Sequence, residues 1–229
     1  MDDEEMYQHG SFDEWIKRDP ALDTYQAYVP PSYDGSEAYG LVLYANPGFP
    51  TDIPSDWHSV LDAFKLIVVA ADSVNNETTM PRRVQASMDT LATAEKKYKI
   101  DPTRRVVSGL SGGGHMAMVI GALYPDYFIG AISHAAQSYL PSSGGTHGYG
   151  HFPGLALEDF SASKRKHMKW IVVSGDKDYN YQAILETSKR WDDNKLNYRF
   201  LDIPGMGHEP AKAAPFQEAL EWVGLKEAK

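Results

Sequence analysis

The chain contains no cysteine. That absence removes a disulfide framework, a thiolate metal site and a thiol nucleophile together, while leaving the compartment open. Long hydrophobic runs are missing as well, since no stretch approaches the ~18 consecutive apolar residues of a membrane span. Positive charge is scarce: 22 Lys and Arg stand against 31 Asp and Glu, a net charge of −9. Such a balance argues against nucleic acid or an anionic membrane as the main partner. The opening Met1-Asp2-Asp3-Glu4-Glu5 is the reverse of a basic secretory leader. The chain as written is therefore expected to be cytoplasmic, and secreted only if a leader has been removed. No convincing three-ligand metal set is present. His147 and His151 flank Gly-Tyr-Gly in a glycine-rich stretch without a third partner, so neither metal nor cofactor is expected.

What is present is enough apolar residue for a sizeable core, 42% of 229 residues, a length that one α/β domain commonly holds. Residues 1–23 are acidic and thinly apolar and read as a lead-in; 24–229 read as a single domain. Within it, strand-like runs recur at Thr24–Val29, Tyr39–Ala45, Leu66–Ala71, Val106–Val107, Phe128–Ser133, Lys169–Gly175 and Tyr198–Ile203. Helical spacing fills the gaps at Ser55–Phe64, with Ser55 as N-cap, and at Arg82–Lys97, with Pro81 at its entrance. Further helices are expected at Met116–Leu123, Tyr181–Trp191 and Pro215–Val223, and Asp101-Pro102 is expected to break the chain before the fourth strand. Alternation of this kind predicts a mostly parallel sheet with helices on both faces. Residues 135–163 have no usable period and are rich in Gly, Pro and Ser, which makes them a candidate flap.

One stretch concentrates chemistry. After Val106-Val107 the chain turns through Gly109-Leu110-Ser111-Gly112-Gly113 and enters an apolar helix. Strand, sharp turn with serine at its tip, then helix is the setting in which G-x-S-x-G becomes a nucleophile elbow. The helix start behind Ser111 offers unpaired N–H groups to an oxyanion. Alone, the pentapeptide also describes a glycine-rich turn that merely makes room for packing.

Two later strands carry matching residues at their carboxyl ends, where ligands sit in such sheets. The first runs into Ser174-Gly175-Asp176-Lys177-Asp178, the second into Pro204-Gly205-Met206-Gly207-His208. Serine, acid and histidine in that order form the α/β-hydrolase triad. His208 would take the Ser111 proton, and a buried carboxylate would orient the imidazole. The G-x-x-D spacing favours Asp178 over Asp176. Each is, taken singly, also an ordinary turn aspartate. His115 and His134 lie near the serine and are read as pocket walls. Tyr149, Phe152, Tyr179 and Tyr181 are candidates for an aromatic-lined substrate pocket, with Tyr149, Phe152, Tyr179 and His115 taken as the binding set.

From about Thr24 to Val223 the chain resembles small α/β-hydrolases of the polyhydroxybutyrate-depolymerase and feruloyl-esterase type, a group of cofactor-free serine esterases. The matching segments are Tyr28-Val-Pro-Pro-Ser-Tyr33, Tyr98-Lys-Ile-Asp-Pro-Thr-Arg104, Gly109-Leu-Ser-Gly-Gly113 and Tyr124-Pro-Asp-Tyr-Phe128, with Gly175-Asp-Lys-Asp178 and Gly205-Met-Gly-His208. The chain departs from that group at Asn46-Pro47-Gly48, where such enzymes carry His-Gly-Gly. Pro47 has no N–H to give. The resemblance then implies an oxyanion hole built from Gly48 or Phe49 together with Gly112. The expected activity is cleavage of a small or polymeric carboxylic ester through an acyl-enzyme. A peptidase or amidase on the same fold, or a catalytically silent binding protein, are the alternatives. The natural ester and the oligomeric state are not legible.

Overall fold

A computed structural model describes residues 23–137, 167–193 and 196–228. Nearly all of the lead-in and most of the candidate flap lie outside the described residues, and with them Tyr149, Phe152, His147 and His151. The strands are β1 (Tyr25–Tyr28), β2 (Tyr39–Ala45), β3 (Leu66–Ala71), β4 (Ile100–Leu110), β5 (Gly130–His134), β6 (Lys169–Ser174) and β7 (Tyr198–Asp202). The helices are α1 (His58–Ala63), α2 (Met80–Lys97), α3 (Gly112–Leu123), α4 (Tyr181–Asp193) and α5 (Ala213–Val223), and a 3₁₀ turn at Ser55–Trp57 leads into α1.

The strands form one sheet in the order β1-β3-β2-β4-β5-β6-β7. β1 pairs antiparallel with β3 at one edge, and every other neighbouring pair is parallel. A parallel sheet is covered on both faces, which is why β2 and β3 read as continuous apolar runs. Their side chains alternate between two cores. Leu41, Leu43, Ile67, Val69, Val107 and Val172 pack with Leu91 of α2, Met116 and Ile120 of α3 and Ile184 of α4. Val42, Tyr44, Val68, Val106, Ile171 and Val173 pack with Leu61 of α1 and Phe216 and Leu220 of α5. Fully burying one such side chain stabilises the fold by roughly 1.5–3 kcal/mol. Because β4, β6 and β7 run the same way, Ser111, Asp178 and His208 all follow strands that end on one edge of the sheet.

Two local expectations are corrected. The Asp101-Pro102 pair does not precede the fourth strand but lies inside β4. Tyr39 pairs with Ile100 and Leu41 with Arg105, so the residues between loop out as a bulge. Asp101 Oδ1 holds that bulge by accepting from the Thr103 N–H at 2.9 Å and its hydroxyl at 2.7 Å. A bulge is one of the few places where a sheet tolerates proline. Ser55 is not an N-cap either: Pro54 takes that position and its carbonyl accepts the Trp57 N–H at 3.0 Å, placing Ser55 inside the turn.

Candidate active site

β4 ends at Leu110 and α3 begins at Gly112, leaving one residue to reverse the chain. Ser111 does so with φ 54° and ψ −126°, a left-handed-side conformation that serine rarely adopts. Holding a residue there costs on the order of 1–3 kcal/mol, so the surroundings must enforce it. They do so by close packing. A Cβ on Gly109 would strike the backbone of Gly113, and one on Gly113 would strike the carbonyl of Ala45 at the end of β2. The Ser111 N–H is fixed by the His134 carbonyl at 2.9 Å. Beyond it, the first N–H groups of α3 have no acceptor within the helix.

The turn after β6 positions two aspartates differently. Asp178 is 4% exposed, and both oxygens of its carboxylate are engaged. Oδ2 accepts the Ser174 hydroxyl at 2.7 Å, while Oδ1 accepts the Asn180 N–H at 3.0 Å and faces His208 Nδ1 at 2.9 Å. Asp176 points outward to accept the Gly205 N–H at 2.6 Å, and that bond holds its carboxyl below the usual range. Asp178 is thus the carboxylate that meets the imidazole. The ring of Tyr179, 75% exposed, stacks on His208 with centroids 4.0 Å apart. Among the described residues no hydrogen bond joins Ser111 to His208.

The loop that follows β2 approaches the elbow from the other side and is tied down at three points. The Pro47 carbonyl accepts the Asn76 N–H at 2.9 Å. The Asn46 carbonyl accepts Arg83 Nη2 at 3.3 Å, and the Thr51 N–H donates to Asp72 Oδ1 at 2.6 Å. Arg83 Nη1 also reaches Asn76 Oδ1 at 3.2 Å, the same oxygen that a Cβ on Gly112 would strike. The guanidinium is buried, which pushes it down to about 10, so it stays charged at neutral pH. Gly48 and Phe49 sit between these anchors, exposed to solvent.

The structure of the fluorophosphonate-binding serine hydrolase F of Staphylococcus aureus matches with a TM-score of 0.68 at 15% identity, over 88% of this chain and 92% of that one. The ferulic acid esterase of Anaeromyces mucronatus matches with a TM-score of 0.64 at 14% identity, over 93% and 95%. The fold is that of the α/β-hydrolases. Within this chain, residues 87–195 match the model of the Esterase family, described as putative esterase. That stretch includes Ser111 and Asp178 and stops short of His208. The poly(3-hydroxybutyrate) depolymerase of Ralstonia pickettii is 30% identical over 90 residues, which is 33% of this chain. The chain spans only 18% of that depolymerase.

The remaining site expectations fall out unevenly. His115 is half-buried at the start of α3, and burial, with the Arg83 charge beside it, pushes it down to about 4. His134 is not a pocket wall. It is wholly buried beside the stacked rings of Trp57 and Phe216, so it belongs to the core. Tyr181 donates to Asp202 at 2.7 Å on the outside of the domain. Among the described residues no group of three His, Cys, Asp or Glu is arranged to hold a metal ion, and no helix is long and apolar enough to cross a membrane. Arg83 and Ser174 escaped the sequence reading. Arg83 shares a helical face with Ser87, Thr90 and Ala94, a buried stripe with a charge at its end, and that signal was available.

Proposed function

We propose that this α/β-hydrolase cleaves carboxylic esters through a serine-linked acyl-enzyme. The observation that carries the reading is the 2.9 Å contact between His208 Nδ1 and the buried Asp178, at the sheet edge where the strained Ser111 turn emerges. The similarity to esterase families and esterase structures supports the same chemistry.

With Nδ1 donating to Asp178, Nε2 of His208 is the free base, and the link from Ser111 forms as substrate seats. The Ser111 hydroxyl passes its proton to Nε2 while Oγ attacks the ester carbonyl, and the resulting imidazolium is stabilised by the Asp178 carboxylate. The tetrahedral oxyanion takes the N–H of Gly112 and that of Gly48 or Phe49, each such donor being worth ~2.7–4 kcal/mol in the transition state. Collapse breaks the ester C–O bond, and His208 gives the proton to the departing alkoxide. Water then attacks the acyl-enzyme by the same proton transfers, releasing the acid and restoring Ser111. No cofactor enters these steps.

Parallel assays on p-nitrophenyl esters and the corresponding anilides test the reaction class, with the acyl-enzyme trapped by rapid acid quench and weighed. The reading expects turnover of the ester and an adduct on Ser111. Preference for the anilide would replace it with amidase chemistry, and turnover without any adduct would remove the covalent step.

A further inference from the structure

β5 lies between β4 and β6, and its last residues touch three loops at once. The His134 carbonyl accepts the Ser111 N–H at 2.9 Å. The His134 ring accepts the Ala211 N–H on Nδ1 at 3.3 Å, three residues past His208. Next to it, the Ala135 carbonyl accepts Asn180 Nδ2 at 3.1 Å, and the Asn180 N–H is bound to Asp178. Ala135 holds φ 52° to make this reach, a conformation that costs a non-glycine residue. Serine, acid and histidine loops therefore share one anchoring point.

The protonation of His134 follows from its partners. A backbone N–H can meet only a bare ring nitrogen, so Nδ1 carries no proton. Burial pushes the ring down to about 3, so it is neutral and its single proton sits on Nε2. From there it donates to the buried Ser108 Oγ at 3.1 Å. Ala211 is held from the other side as well, because Trp57 Nε1 donates to its carbonyl at 2.7 Å. Trp57 is itself locked, stacked on Phe216 with centroids 3.9 Å apart. The peptide groups on either side of Ala211 are thus pinned by two buried rings. The loop carrying His208 cannot slide along the sheet edge without breaking one of those bonds.

We propose that His134 is a positioning residue that holds the His208 loop in register with the Ser111 turn. Its backbone fixes the nucleophile's turn and its ring fixes the loop of the base, so a single residue sets their separation. The proposal rests on the ester-hydrolase reading for its kinetic consequence, but not for its geometry. A displacement of about 1 Å between reacting groups costs on the order of 10²-fold in rate.

The test uses the full chain and two readouts, turnover of p-nitrophenyl acetate and the downfield proton resonance of His208 Nδ1–H. His134→Leu removes the acceptor for Ala211; kcat should fall about 10²-fold with KM within about twofold, and the resonance should shift or broaden. His134→Asn places an oxygen close to where Nδ1 stood, and should bring kcat back to within about tenfold together with the resonance. If His134→Leu does not fold, Trp57→Phe frees only the Ala211 carbonyl and keeps an aromatic ring; a fall in kcat of about tenfold with a shifted resonance is then expected. A purely structural histidine would lower Tm while leaving kcat and the resonance of the folded variants at wild-type values. That result, or an Asn variant as slow as the Leu variant, overturns the proposal. The resonance is read without turnover, so it still judges His134 if the ester reading fails, whereas full turnover in Ser111→Ala would sink that reading alone.

Discussion

Replacing Asp178 by asparagine has a consequence in this site that depends on who donates to each oxygen. An amide facing the imidazole with its nitrogen would reverse the tautomer and cost on the order of 10⁴ in rate. Here the Asn180 N–H, a donor that cannot become an acceptor, points at Oδ1, the same atom that faces His208. The new amide must therefore keep its oxygen at that position. Its nitrogen goes to the place of Oδ2, where the Ser174 hydroxyl can turn to accept. The His208 tautomer survives, and what is lost is the charge opposite the imidazolium. Two unit charges about 4 Å apart interact by about 4 kcal/mol at an effective dielectric constant of 20, an upper figure of roughly 10³ in rate. Asp178→Asn is accordingly expected to lose about 10²–10³ in kcat on p-nitrophenyl acetate. Asp178→Ala removes the orienting acceptor as well, freeing the ring, and should lose about 10⁴. Steady-state kinetics on both folded variants decides the matter. Equal losses would show that the Asn180 N–H does not govern the amide, and near-wild-type rates in both would remove Asp178 from the mechanism.

Asp176→Asn breaks no contact with His208 and should leave kcat within about twofold, as an exposed substitution usually does; a loss matching that of Asp178→Asn would reverse the assignment of the acid. Arg83→Leu releases the Asn46 carbonyl and Asn76 beside the loop after β2, where an oxyanion donor is proposed. It should reduce kcat by about 10- to 100-fold with little change in KM, and an effect confined to Tm would make Arg83 a packing residue only. Stability should fall as pH falls below 6.5, because His115 and His134 are pushed down to about 4 and about 3 while their unfolded forms protonate near 6.5. Their contribution is present above pH 6.5 and is lost towards those lower values, by about 2 kcal/mol for the pair between pH 6.5 and 5.5. Urea titrations at the two pH values measure it, and His134→Asn should roughly halve the difference.

The parallel sheet was legible because buried strands must be apolar on both faces. Leu66–Ala71 could be read to the residue, and Tyr39–Ala45 likewise. The elbow was legible because only glycine fits where Gly109 and Gly113 pass the backbone of the chain. Less was visible where a polar residue's partner lies far away in the sequence. His134 looks like a strand-end residue at an open edge until Trp57 and Phe216, both distant in the chain, close over it. Asp176 and Asp178 are two residues apart in one turn, and the spacing argument named the one that meets His208. What separates them physically is the Gly205 N–H drawing Asp176 outward, which no local pattern announces. Pro102 looked like a strand break because a bulge is set by the neighbouring strand, not by the proline itself. The three anchors of the loop after β2 were equally hidden, since Asp72, Asn76 and Arg83 act across turns of the chain.

The proposed chemistry stands on Ser111, at the strained tip between β4 and α3, as the nucleophile. A fluorophosphonate probe followed by intact-mass and peptide mass spectrometry, run beside turnover of p-nitrophenyl acetate, tests it directly. One probe per chain should attach at Ser111, and Ser111→Ala, folded and with an unchanged melting curve, should take up none and lose roughly 10³–10⁶ in kcat. A folded Ser111→Ala protein that still turns over the ester at the wild-type rate would exclude Ser111 as the nucleophile.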